Sequence, residues 1–221
     1  MSGSQKGTGV PIYFSPEACY IACRMCLFGR NPTVALFLAF FFGYSAIGLG
    51  ADPAAGTLEI TYTLAPAENV EPSYQIAIWL EKENGELAKT LFVSDYLAYA
   101  GFNDPTICPA WLKIANWEQA TDEEFDAVSR PTPPLGEVTL TVNCKERGIE
   151  PGTYYYAVQV HIVEDFNIAY RGKITIGTEP TNDQAVAHHT PGKYENAENV
   201  IHSVSARYLP AENEVQKGTN K

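Results

Sequence analysis

Alternation of apolar and polar side chains, repeated in short segments, constrains this chain more than any other feature. It runs longest over residues 153–163. There Tyr154, Tyr156, Val158, Val160 and Ile162 share one face, and Tyr155, Ala157, Gln159, His161 and Val163 share the other. Successive side chains of a strand point to opposite faces, so this period specifies a strand and not a helix. Residues 57–64 repeat it with Leu58, Ile60, Tyr62 and Leu64, and residues 74–81 with Tyr74, Ile76, Ile78 and Leu80. Asn84-Gly85 supplies a hairpin turn into a returning strand over 87–93. Further strands are expected over 136–142, 168–176 and 200–208. The polar stretch 177–199, rich in Pro, Asn and Thr, reads as a loop.

The middle of the chain has a different rhythm. Pro109 stands at a first helical position, and Trp111, Ile114 and Ala115 follow at helical spacing. Thr121 and Glu124 form a capping box, and the acids Asp122, Glu123 and Glu124 complement the start of a second short helix. Residues 96–128 are therefore a helical insertion among strands, and 129–136 a proline-rich connector. The fold class is all-β: an immunoglobulin-like antiparallel β-sandwich with a short helical insertion. The βαβ rhythm of a Rossmann or barrel enzyme is missing.

Residues 31–51 carry no charge, and 34–42 are strongly apolar, with Arg24 and Arg30 just ahead and Gly48 and Gly50 behind. That is the order of a secretory signal, with an uncleaved membrane anchor as the competing reading. A start at Met25 would give a signal of ordinary length. The expected organisation is an N-terminal extension and signal or anchor over 1–50, a β-sandwich domain over 51–209, and a disordered tail over 210–221. Membrane contact is expected only through the N-terminal segment, if it stays uncleaved. Cys19, Cys23 and Cys26 match the spacing of a radical-enzyme iron–sulfur triad, but an export segment follows them instead of a barrel. Cys108 and Cys144 remain downstream. In an exported chain they are expected to form a disulfide contributing about 3–4 kcal/mol, with two buried free thiols as the alternative.

Several blocks together resemble a family of predicted bacterial periplasmic proteins, the domain of unknown function 2271. They are residues 74–86 (YQIAIWLEKENGE), 89–94 (KTLFVS), 108–112 (CPAWL), 126–129 (DAVS) and 151–154 (PGTY). The resemblance implies a periplasmic β-sandwich in the company of flavin-transfer enzymes and membrane redox proteins, with no catalytic activity attached. Covalent flavin carriers hold FMN as a phosphoester on the Thr of a pattern like Asp-x-x-Ser/Thr-Gly-Ala-Thr. Asp126, Ser129 and Thr132 keep that register, while Arg130 and Pro131 replace the small pair. FMN on Thr132 is thus the one named cofactor alternative, the primary expectation being no cofactor.

The net charge of −11 argues against a nucleic-acid partner, which needs clustered Lys and Arg. It favours basic partners. The resemblance implies that the partner is a membrane redox protein or another periplasmic protein. His188-His189 with His161 or His202 offer metal-ligand chemistry, but exposed loop histidines are the expectation and no metal site is assigned. The acid run 122–126 lacks the alternating ligands of a calcium loop. Nucleophile elbows, Walker loops and zinc-protease helices are absent from the sequence. The expectation is a non-enzymatic binding or accessory module. Trp79, Trp111 and Tyr155 are candidates for a ligand face, with packing on the second face of a sheet as the plainer reading.

Overall fold

The computed structural model describes residues 55–211. The expected signal or anchor, the Met25 start and the Cys19/Cys23/Cys26 triad lie outside the described residues, as does the expected tail from 212 onward.

Two sheets pack face to face. The smaller has strand order β5-β1-β10-β8, and the larger β4-β3-β2-β6-β7-β9. The elements are β1 (Gly56–Leu64), β2 (Gln75–Lys82), β3 (Leu87–Ser94), β4 (Ser129–Arg130), β5 (Gly136–Asn143), β6 (Gly152–Val163), β7 (Phe166–Ile176), β8 (Thr181–Gln184), β9 (Val186–Thr190) and β10 (Ile201–Pro210). All neighbours run antiparallel except the short β3–β4 pair. The sandwich core is built by the alternating faces read from the sequence: Leu58, Ile60, Tyr62 and Leu64 of β1, Ile76, Ile78 and Leu80 of β2, and Tyr156, Val158, Val160 and Ile162 of β6 are all buried there. Gly85, at φ +83°, makes the expected turn between β2 and β3, and Lys82 N–H closes it on the Glu86 carbonyl at 2.8 Å.

The helical insertion comprises α1 (Asp95–Tyr99), α2 (Pro109–Ala115) and α3 (Asp122–Val128), with single 3-10 turns at Gly101–Asn103 and Trp117–Gln119. It lies on the outer face of the large sheet. A second core forms there from Ala77, Trp79, Val93, Leu97, Ala98, Cys108, Trp111, Trp117, Val128 and Ala157. The central strand β2 is therefore covered on both sides and buried along all but its last residue. This settles the aromatic question: Trp79 and Trp111 are packing residues.

Two expectations are corrected. Cys108 and Cys144 are not a disulfide; both are free and buried. Cys108 belongs to the core under the helices and Cys144 to the core between the sheets. The large sheet separates them, and a disulfide needs Cα atoms within about 7 Å. Burial pushes the Cys108 thiol far up and the Cys144 thiol up to about 11, which leaves both protonated and inert. The second correction concerns 177–199, which is not simply a loop. It contains β8, paired to β10, and β9, paired to β7. Between them the buried Ala185 marks the crossing from one sheet to the other, its N–H held by the Val204 carbonyl at 2.9 Å. Both strands are short, polar and at an edge, so one face of neither reads as apolar.

Candidate functional site

The insertion is held by side-chain amides on the large sheet. Gln159 of β6 accepts the N–H groups of Ala110 and Trp111, at 3.1 and 3.3 Å, through its Oε1. These are the second and third residues of α2, whose own N-cap, Cys108, sits at φ 51° and offers no side-chain bond. Gln75 of β2 accepts the Leu97 N–H at the start of α1, and Ser94 Oγ donates to the same oxygen. Asn167 of β7 accepts the Cys108 N–H at 3.0 Å and donates to the Thr106 carbonyl at 2.8 Å. Helix N-termini carry unpaired N–H donors. Here α1 and α2 find their acceptors across space, while α3 is capped locally. Thr121 Oγ1 takes the Glu124 N–H, and Glu124 takes the Thr121 N–H at 2.9 Å, which is the expected capping box.

A run of aromatic rings joins this buried floor to the surface. Trp111 lies 5.1 Å from Trp117, Trp117 4.7 Å from Phe125, and Phe125 5.6 Å from Tyr99, centroid to centroid. Tyr99 is 62% exposed and Tyr96, three residues earlier on α1, 56%. Exposed Asp122 and Asp126 flank Phe125 on α3. The result is a firmly seated aromatic face with an acidic border. Tyr96 and Tyr99 were missed in the sequence reading; their signal is the i, i+3 spacing of two tyrosines around the buried Leu97-Ala98 pair.

Beside this face, a cleft of about 550 Å³ opens between β3 and the helices. Lys89, Trp117, Glu123, Glu124, Glu146 and Arg147 are among its lining residues, so it carries both charge signs. Arg147 donates to the Ala127 carbonyl at 2.9 Å and to the Thr90 carbonyl at 3.2 Å, tying the β5–β6 turn to α3 and β3. Burial lowers its pKa, and the nearby Arg130 charge lowers it further.

The flavin-carrier register is only partly assembled. Ser129 is buried and donates to Asp95 Oδ1 at 2.8 Å, so its hydroxyl is occupied. Arg130 folds back to donate to the Asp126 carbonyl at 2.9 Å and the Ser129 carbonyl at 2.6 Å. Thr132 stands apart, exposed in the connector between Pro131 and Pro133.

His161 is buried, with Nδ1 2.7 Å from Ser73 Oγ and Nε2 2.8 Å from the Glu164 carbonyl oxygen. His188 and His189 are neighbours on β9 rather than in a loop, so they face opposite ways. Among the described residues, no group of three or more His, Cys, Asp or Glu side chains is placed to hold a metal ion. Tyr155 carries Arg171 over its ring at 3.6 Å, and Arg171 pairs with Glu81 at 2.8 Å, which also accepts the Trp79 indole N–H. That third aromatic candidate thus serves a surface ion-pair network.

The family model described as "Predicted periplasmic protein (DUF2271)" matches residues 57–195, more than half of the chain. The chain belongs to the DUF2271 family. The matched region of this DUF2271 protein takes in the core under the helices, the helical insertion and the cleft, and every strand of the sandwich except β10. Among curated proteins and among solved structures, nothing matches the chain. No helix among the described residues of this DUF2271 protein is long and apolar enough to cross a membrane.

Proposed function

We propose that this DUF2271 protein is an exported, non-catalytic binding module that serves a flavin-linked redox system of the cell membrane. The observation that carries the reading is the aromatic face of Tyr96, Tyr99 and Phe125 with its acidic border. Tyrosine is enriched at protein interfaces because it offers a large, rigid contact with a polar tip. The amide clamps beneath fix that face before a partner arrives, which cuts the ordering cost of docking. Asp122 and Asp126 favour a basic partner. The family's description supports the compartment, and the resemblance to flavin-associated periplasmic proteins supports the redox company. The test is a photo-crosslinking residue at Tyr99 in the full chain in its own cells, with Asn182 on the far edge strand β8 as control. Adducts with a membrane redox protein are expected at position 99 only, and they should weaken in Asp122→Lys/Asp126→Lys. Identical adducts at 99 and 182 would remove the reading.

A second reading makes the chain itself the carrier, with FMN on Thr132. It is favoured by the open hydroxyl of Thr132, exposed between two prolines beside Arg130, whose bulk is turned back onto the main chain. The small pair of the carrier pattern is still missing, so the transferase would have to accept Pro131 next to its target. Co-expression of the full chain with an FMN transferase should then give a yellow protein, heavier by one FMN, and Thr132→Ala should abolish both. A colourless protein of unmodified mass leaves only the binding module.

A further inference from the structure

We infer that the chain pairs with a second copy of itself through the edge of β5 that is free among the described residues, in antiparallel register about a two-fold axis at Leu140. The described sheets end in four edge strands. β4, β8 and β9 have two, four and five residues, whereas β5 has eight. Long free edges present unpaired N–H and C=O groups, and proteins usually blunt them with Lys, Pro or bulges. β5, Gly136-Glu-Val-Thr-Leu-Thr-Val-Asn143, has none of these and a single charge, Glu137, near its start.

The orientation of its backbone is fixed by β1. Cys144 N–H donates to the Gly56 carbonyl, and the register runs on as Val142↔Leu58, Leu140↔Ile60 and Val138↔Tyr62. In an antiparallel ladder, alternate residues bond to the partner. Val142, Leu140 and Val138 therefore spend their backbone groups on β1, and Thr139 and Thr141 point theirs outward. Asn143 keeps only its N–H for the edge, because its carbonyl accepts the Arg147 N–H. The side chains show the same opening. Ile60 and Tyr62 on β1 are fully covered, but their neighbours Leu140 and Val138 are only half-buried, so the core is open at this border.

What fits there is written in the strand. Residues 138–142 read Val-Thr-Leu-Thr-Val in both directions. A two-fold axis at Leu140 sets Thr139 against Thr141, where outward groups meet outward groups, and Val138 against Val142 on the core side. Leu140 meets its own copy in a non-hydrogen-bonded pair, the closer kind, with Cα atoms about 4.5 Å apart. Glu137 falls opposite Asn143, so two chains that each carry a charge of −11 meet without like charges in this ladder. A heterologous strand would have no reason to match a palindrome; a second copy matches it by symmetry.

The test is sedimentation equilibrium on the full chain recovered after export, at micromolar concentration. A dimer is expected, and Thr139→Pro should be monomeric. The N–H that proline removes there points outward, so the β1 ladder and the folded far-UV spectrum should hold, and the melting temperature should fall only to the value of the dissociated chain at high dilution. The register is read separately. Mild oxidation should cross-link Leu140→Cys into a covalent dimer, while Val138→Cys, which faces position 142, and the unsubstituted chain should not cross-link. An unsubstituted chain that is monomeric, a dimer that survives Thr139→Pro, or equal cross-linking at 138 and 140 would each overturn the inference.

Discussion

Trp111→Ala is expected to destabilise the domain by about 3–5 kcal/mol, the range for truncating a large buried aromatic. The side chain is fully buried between the helical insertion and the large sheet, and its indole N–H donates to Thr90 Oγ1 at 3.2 Å. Trp117 leans on it, Phe125 leans on Trp117, and Tyr99 leans on Phe125, so the cavity sits at the root of the whole aromatic run. A domain of this size is stable by about 5–15 kcal/mol, so the loss is a large fraction of the total. It should not be spread evenly. The sandwich core has its own residues on the opposite face of the sheet, and Trp111 contributes none of them. Protease should therefore cut first within 100–128 in the variant, and the urea midpoint should fall. Trp111→Phe, which keeps a ring, should lose far less. Unchanged protection of 100–128 in Trp111→Ala would show that the insertion is held by something other than this core.

How much of this was legible in the sequence depends on how locally each feature is determined. The faces of β1, β2 and β6 follow from a two-residue period, and every alternating residue read as inward is in the sandwich core except Tyr74 and Tyr154, which pack against its border. The capping box of α3 needs only Thr121 and Glu124, three residues apart, and it forms as read. The caps of α1 and α2 could not be read, because their acceptors lie on other strands: Gln75 is 22 residues from Leu97, and Gln159 is 48 from Trp111. In the sequence these amides look like ordinary polar residues on the solvent face of a strand. The disulfide expectation failed for a related reason. Compartment and cysteine count say that two thiols can meet, but nothing local says that a sheet stands between them. The candidate site was legible at Asp126, Ser129 and Thr132 only as a register, and the fold gives the three quite different surroundings. Tyr96 and Tyr99, which carry the proposed docking face, lie on α1 of the helical insertion without any motif to mark them.

Gln159→Met is expected to cost about 1–3 kcal/mol although it changes shape very little, because it leaves the Ala110 N–H without its acceptor and strips the Trp111 N–H of one of its two, the Cys108 carbonyl at 3.1 Å remaining. Gln159 is 1% exposed, so water cannot easily take over. The effect should be localised in a way that a packing defect would not be. Gln159 Oε1 serves only the first turn of α2, whereas α3 has its own capping box and α1 depends on Gln75. Hydrogen exchange should therefore quicken at Trp111 and its neighbours in α2 while the first turn of α3 keeps its rate. Gln75→Met should do the reverse, loosening Leu97 and leaving α2 nearly as before. If both substitutions loosen the whole insertion equally, the helices are docked as one cooperative unit and the amides act as general glue. If each loosens its own helix, the sheet holds the insertion by separate clamps, and the tyrosine face on α1 can be unseated through Gln75 with the Trp111 core intact. That second outcome would also supply the cleanest variant for the docking proposal: a chain with a folded sandwich, a normal cleft and Thr132 in place, but with Tyr96 and Tyr99 no longer held.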